Sequence, residues 1–153
     1  MSAIPEDYLP PRELQPARVY SLKEFEGYPD SLNSTEELLD KQVVAGRGDH
    51  PAILFEDRVI SYKQLLGATN KFGNALRRLG VEEADRVLLR SANVPTALIA
   101  NFAVLKLGAV IVPTSPLLSP AEIGRSRPRS RMFDAKHALR AGVVGDVGVT
   151  WNS

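Results

Sequence analysis

Cysteine is absent from all 153 residues, which removes disulfides, thiolate nucleophiles and the common zinc-ligand patterns from consideration. Histidine is nearly as scarce: His50 and His137 are the two present, too few for a histidine-rich metal site. An excess of one charge is missing as well. Nineteen lysines and arginines stand against eighteen aspartates and glutamates, a formal net charge of +1, so the whole molecule has no field that would draw nucleic acid or an anionic membrane to it. Long apolar runs are also lacking. The most apolar stretch, residues 97–113, is interrupted by Asn101, Lys106 and Gly108 and ends at Pro113, whereas a spanning helix needs about 20 consecutive apolar residues. Met1 to Asp7 have neither the basic nor the apolar region of a secretory signal. A cytoplasmic location is the expectation. There the sequon Asn33-Ser34-Thr35 has no use, and Arg47-Gly48-Asp49 reads as a coincidence in a loop.

Residues 1–32 hold prolines at 5, 10, 11, 16 and 29 and keep no helical or strand period, which predicts a proline-rich leader. At Asn33 the pattern changes. Ser34 or Thr35 is placed to cap a short helix through Glu36, Glu37, Leu38 and Leu39, whose carboxylates suit the positive end of a helix dipole. Gly46-Arg47-Gly48-Asp49 should stop it. Residues 52–55 and Val59-Ile60 flank the polar Glu56-Asp57-Arg58, the pattern of a tight hairpin. A second helix starts at Ser61, where Ser61-Tyr62-Lys63-Gln64 forms a capping box. Leu65, Thr69, Phe72, Leu76 and Leu79 then recur at spacings of three and four, one stripe against a core. Gly80 supplies the left-handed stop, with Val81 placed to pack back on Leu76. Residues 86–89 read as a strand, Asn93-Val94-Pro95 opens a helix that Gly108 closes, and residues 109–112 form an apolar run suited to a sheet covered on both faces. Strand, helix, strand with a short glycine turn is a βαβ unit, so the fold class is α/β with a parallel sheet.

Past Ser119 the sequence contradicts itself. Ser119-Pro120-Ala121-Glu122 announces a helix, with a capping serine, proline at the first position and glutamate reaching back. The next eight residues are Gly124-Arg125-Ser126-Arg127-Pro128-Arg129-Ser130-Arg131, with no apolar stripe. Residues 124–153 carry five arginines and one lysine against Asp134 and Asp146. A local signal contradicted by its own continuation argues against a selected structure. Two readings of residues 124–153 as an irregular tail stay open: out-of-frame translation of a GC-rich gene, whose codons favour the arginine, glycine, alanine, proline and valine found here, and a flexible basic tail.

From Asn33 to Ile123 the chain resembles the N-terminal region of the adenylate-forming superfamily, which includes acyl- and aryl-CoA ligases, luciferases and peptide-synthetase adenylation domains. The matching pieces are residues 50–55 (His-Pro-Ala-Ile-Leu-Phe), residues 60–65 (Ile-Ser-Tyr-Lys-Gln-Leu), residues 74–81 continuing to Asp85-Arg86-Val87, and residues 105–110 ending in Val112-Pro113. Ala84 departs from the glycine usual before that aspartate. Leu9-Pro10-Pro11, residues 28–33 and residues 114–118 look like the benzoate- and 2-aminobenzoate-CoA ligase branch. The organisation implied is a leader over 1–32, the N-terminal part of an AMP-binding ligase domain over 33–123, and a tail outside the family over 124–153.

The resemblance implies, for a full-length relative, activation of a carboxylic acid with ATP and Mg²⁺ to an acyl-adenylate, followed by transfer to CoA. In-line attack on the α-phosphate requires phosphate charge to be neutralised. The family does so with a Ser/Thr/Gly-rich loop ending in lysine, an acidic ribose ligand and a lysine on a small C-terminal domain. None has a counterpart here. Gly142 to Thr150 is glycine-rich but lacks that lysine and a strand–helix context. No catalytic, cofactor-binding or metal-ligating residue is therefore assigned. The carboxylic acid substrate, ATP, Mg and CoA belong to the full-length family, with no membrane partner and no specific nucleic-acid partner expected. The remaining conspicuous residues read as structure: Gly80 and Gly108 as helix stops, Pro113 as a strand end, Tyr62 and Phe72 as core, His50 as solvated, and the arginines from 125 to 131 as a solvated run. Lys106 complements the helix dipole rather than CoA phosphate. Two other functions stay open beside an inactive ligase fragment: a stand-alone binding module whose basic tail contacts nucleic acid or protein, and a half-enzyme completed by a second chain.

Overall fold

The computed structural model describes residues 10–16, 21–23, 27–29 and 31–117, with Ser119, Ala121 and the backbone of 132–134. Residues 1–32 and 33–153 form two units. In the first, Pro11 leads into a single 3₁₀ turn, Arg12–Leu14, closed by the Leu14 amide on the Pro11 carbonyl at 2.8 Å.

The second unit begins at Asn33, whose Oδ1 accepts the Thr35 and Glu36 amides at 3.0 and 3.3 Å. Asn33 is thus the cap, in place of the expected Ser34 or Thr35. Thr35 is instead fully buried, its hydroxyl donating to the Phe102 carbonyl at 2.8 Å. Two wide helical turns follow, Glu36–Asp40 and Val43–Arg47, and Gly46 at φ 77° breaks the second. Strands β1 (Pro51–Phe55) and β2 (Arg58–Ser61) form the expected antiparallel hairpin around Glu56-Asp57, pairing Ile53 with Ile60 and Leu54 with Val59.

Helix α1 (Tyr62–Arg78) starts on the capping box read from sequence: the Gln64 amide donates to Ser61 Oγ and the Ser61 amide to Gln64 Oε1. Its buried face holds Leu65, Thr69, Phe72 and Leu76, together with Ala68, Gly73 and Ala75. The stop follows the Schellman pattern. The Val81 amide bonds the Leu76 carbonyl, the Gly80 amide bonds the Arg77 carbonyl, and Gly80 sits at φ 83°. Leu79, expected on the buried stripe, is 41% exposed at the end of the helix.

Strand β3 (Arg86–Arg90), helix α2 (Pro95–Lys106) and strand β4 (Val110–Thr114) make the βαβ unit, with β3 and β4 parallel from Arg86↔Val110 to Arg90↔Thr114. Gly108, at φ 71°, ends α2 as Gly80 ends α1: the Ala109 amide bonds the Val104 carbonyl and the Gly108 amide that of Leu105. Pro113 does not end β4 but lies inside it opposite Leu89. Proline is tolerated there because, among the described residues, β4 has a ladder on one side only. Its apolar Val110, Ile111 and Val112 are half-buried rather than covered on both faces.

The link from α1 to β3 turns through Ala84 at φ 65°. Asp85 Oδ2 accepts the Glu82 amide at 2.9 Å, and the Ala84 amide reaches the Gly108 carbonyl at 3.0 Å. The departure noted at Ala84 therefore falls on a left-handed position, where a Cβ costs about 1–2 kcal/mol and glycine costs little.

On the other side of β3, strand β5 (Met132–Asp134) pairs in parallel from Arg86↔Met132 to Leu88↔Asp134, giving the order β4-β3-β5. A strand thus lies within the stretch expected to be irregular. The free N–H and C=O groups along that side of β3 supply its ladder. The rest of residues 124–153 lies outside the described residues.

The core lies between the helices and β3. Phe72 and Leu76 of α1, Ile99, Ala103 and Val104 of α2, Val87 and Leu89 of β3, and Leu39 form one cluster. Each large side chain buried there contributes roughly 1.5–3 kcal/mol.

Candidate functional site

In open parallel sheets the crevice beyond the carboxyl ends of the strands is where ligands are bound. Here it is framed by residues 91–94, leading into α2, and residues 115–117, beyond β4. The two loops are tied together: Arg90 Nη2 donates to the Pro116 carbonyl at 2.6 Å, and Thr114 Oγ1 to the Leu89 carbonyl at 3.4 Å. Helix α2 opens at Val94 without a side-chain cap, and Pro95 at its first position has no N–H to satisfy. Beside it runs a groove of about 250 Å³ between β1 and α2, walled by Leu54, Phe55, Val94 and Leu98 and by the amides of Asn93 and Asn101. Leu54 is 74% exposed and Leu98 38%. Those walls offer apolar contact and two amides, and no acid, base or nucleophile. Among the described residues there is no group of three or more histidines, aspartates or glutamates that could hold a metal ion.

A second, polar cleft of about 330 Å³ lies between the C-terminal halves of α1 and α2, with Thr69, Asn70, Asn74 and Arg77 on one wall, Lys106 on the other and Glu36 at the leading segment. Lys106 does more than complement a helix end: its Nζ donates to Asp40 Oδ1 at 2.6 Å, both side chains being partly buried. Asn33 completes that corner by donating from Nδ2 to the carbonyls of Leu105 and Lys106 at 3.4 and 3.1 Å. A glycan on Asn33 would break this contact, which agrees with setting the sequon aside. Two buried polar atoms in this region, Thr69 Oγ1 and Asp40 Oδ2, have no hydrogen-bond partner among the described residues.

The other residues weighed from sequence fall as follows. His50 is exposed in the turn before β1, with its backbone bonded to Arg47 and Tyr62. Phe72 is in the core and Tyr62 packs against its margin. Gly142 to Thr150 and the arginines from 125 to 131 lie outside the described residues. Sequence reasoning missed Asn33, Thr35 and Asp40 as partners of α2. Between 66 and 73 residues separate them from their partners, and no local pattern signals a contact at that range.

The profile of a family described as AMP-binding enzyme matches residues 39–127. The 3-hydroxybenzoate–CoA/4-hydroxybenzoate–CoA ligase of Thauera aromatica is 37% identical over 93 residues, which make up 61% of this chain and 18% of that one. An acetyl-coenzyme A synthetase of Magnetococcus marinus is 34% identical over 134 residues, 84% of this chain and 19% of the relative. A crystal structure of an anthranilate–CoA ligase in complex with anthranoyl-AMP shares the fold with a TM-score of 0.63, at 24% identity, over 78% of this chain and 24% of that one. The chain thus spans about a fifth of the length of the curated relatives it matches. The profile match runs past Ile123, and the second alignment covers a larger share of the chain than residues 1–123 make up, so likeness continues beyond the break in local pattern.

Proposed function

Because the chain belongs to the AMP-binding enzyme family, we propose that it is the N-terminal part of an AMP-forming acid–CoA ligase, working in the cytoplasm, whose acid is aromatic. The family match over residues 39–127 carries this reading. The hydroxybenzoate–CoA ligase at 37% identity supports the aromatic choice, with acetyl-coenzyme A synthetases as the competing branch.

The part of the reaction that falls to these residues is architectural. The cluster from α1, α2 and β3 makes a packed floor, and the loops after β3 and β4 border the crevice where a parallel sheet binds its ligand. ATP, bridged by Mg²⁺, would supply the adenylyl group, and CoA the acceptor thiol. Forming the adenylate needs fixed positive charge at the α-phosphate. The described crevice walls carry no general acid or base, and their cation, Arg90, is bonded to the Pro116 carbonyl. On this reading the chain by itself does not activate acids.

ATP–pyrophosphate exchange tests this with benzoate, 2-aminobenzoate and acetate. The chain alone should give none above a no-enzyme control. Two chimeras separate the branches, with residues 33–123 replacing the aligned part of the Thauera ligase or of the acetyl-coenzyme A synthetase. The hydroxybenzoate chimera should keep exchange within about tenfold of its parent, and the acetate chimera should lose more. Exchange by the chain alone would overturn the inactivity, and the reverse order of the chimeras would overturn the aromatic choice.

A further inference from the structure

We propose that the polar cleft between α1 and α2 is a binding site for a small zwitterion of the amino-acid or ω-amino-acid type, its carboxylate held by Arg77 and its ammonium by Glu36. This goes beyond the ligase reading and does not depend on it.

The argument starts from which charges are already committed. Lys106 is bonded to Asp40 at 2.6 Å, so these two neutralise each other. The cleft then keeps one cation, Arg77 on α1, and one anion, Glu36 on the leading segment, both exposed. Among the described residues neither makes an ion pair, with the other or with a third residue. Opposite charges that border one cleft without closing on each other complement a ligand with the reverse dipole, better than a simple anion or a simple cation. Arginine is the side chain suited to a carboxylate, which it meets with two parallel N–H donors. A volume of about 330 Å³ is at the small end of ligand pockets, room for a short aliphatic chain between two charged ends.

A second observation points to an occupant independently. Thr69 lines the cleft, is 0% exposed, and its hydroxyl has no hydrogen-bond partner among the described residues. Buried hydroxyls are rarely left unmade in native interiors. Asn70 and Asn74, one helical turn apart on α1, add amide donors and acceptors along the same wall.

The test is a titration of the isotope-labelled full chain with glycine, β-alanine and γ-aminobutyrate, followed by the side-chain amide NMR signals of Asn70 and Asn74. At least one zwitterion should shift them saturably with Kd of about 10 mM or tighter. Its N-acetyl and carboxamide analogues, each lacking one charge, should bind at least tenfold more weakly. Arg77→Gln and Glu36→Gln should do the same, and their exposed positions spare the core. Thr69→Val keeps the shape and removes the hydroxyl, and should weaken binding several-fold. Absence of saturable shifts with all three compounds would overturn the proposal, as would equal binding of the single-charge analogues or unchanged affinity in both charge variants. Because the readout is binding and not exchange of pyrophosphate, its failure leaves the ligase reading untouched.

Discussion

The two ends of α2 are finished in opposite ways. At the C-terminal end the last carbonyls of the helix and its lysine are met within the chain: Gly108 closes the Schellman stop, Asn33 takes the carbonyls of Leu105 and Lys106, Thr35 takes that of Phe102, and Asp40 takes the Lys106 ammonium. At the N-terminal end Val94 provides no side-chain cap, and the neighbouring groove leaves Leu54 and Leu98 open to solvent. A helix that is apolar on all sides, as α2 is, asks for cover all round. The contrast teaches that packing and hydrogen bonding are concentrated at one pole of the βαβ unit, while the crevice pole keeps apolar surface uncovered.

Substitutions at the two poles should therefore differ in cost, and the sharpest way to break the contrast is Asn33→Ala. It removes the cap of the leading segment and two acceptor-satisfying bonds to α2 in one step, and should lower unfolding free energy by about 2 kcal/mol. A urea midpoint unchanged from wild type would show that the C-terminal pole is not where the stability lies. Gly108→Ala should cost about 1.5 kcal/mol, since a Cβ at φ 71° is strained and would sit 3.0 Å from Glu83 Cγ. Full thermal stability in that variant would count against the stop as drawn.

Ala84→Gly works in the other direction. It relieves the left-handed strain at φ 65°, and should raise stability by about 1 kcal/mol, or several degrees in Tm for a domain of this size. A lower Tm would mean that Ala84 makes contacts worth more than its strain. The smallest effect is expected at the crevice pole. Leu54→Ser removes an apolar side chain that is 74% exposed, and should change stability by no more than about 0.5 kcal/mol while reducing binding of a hydrophobic dye. A loss as large as that of Asn33→Ala would erase the distinction between the poles.

How much of this was readable beforehand depends on the range of the interaction. The start, body and stop of α1 follow from neighbours three and four residues apart, so Ser61, Gln64, Leu76 and Gly80 announce their own roles. The βαβ unit is nearly as plain, because its glycine stops and apolar run are local too. Pro113 and Leu79 were placed one step wrong for the same reason: burial at an element's end is set by what packs on it, which local spacing does not carry. The clamp on α2 was invisible. Asn33 and Thr35 look like ordinary helix-start residues, and only the fold brings α2 to them. The polar cleft was hidden likewise, since Glu36, Thr69 and Lys106 come from three separate elements.

The double duty of Asn33 also sets an order of events. This side chain leaves the ribosome early, yet the carbonyls it binds belong to Leu105 and Lys106, made more than seventy residues later. Helix α1, whose start and stop are both local, needs no such wait. The leading segment should therefore be among the last parts to settle during synthesis, docking only once α2 has formed, because contacts of long sequence separation form after local ones. The same dependence makes it a joint unit in the finished molecule. The amides of Thr35 and Glu36 can be released only when Asn33 lets go, and letting go also frays the end of α2. Two segments distant in the chain thus share one opening, and solvent protons should reach both at a common rate.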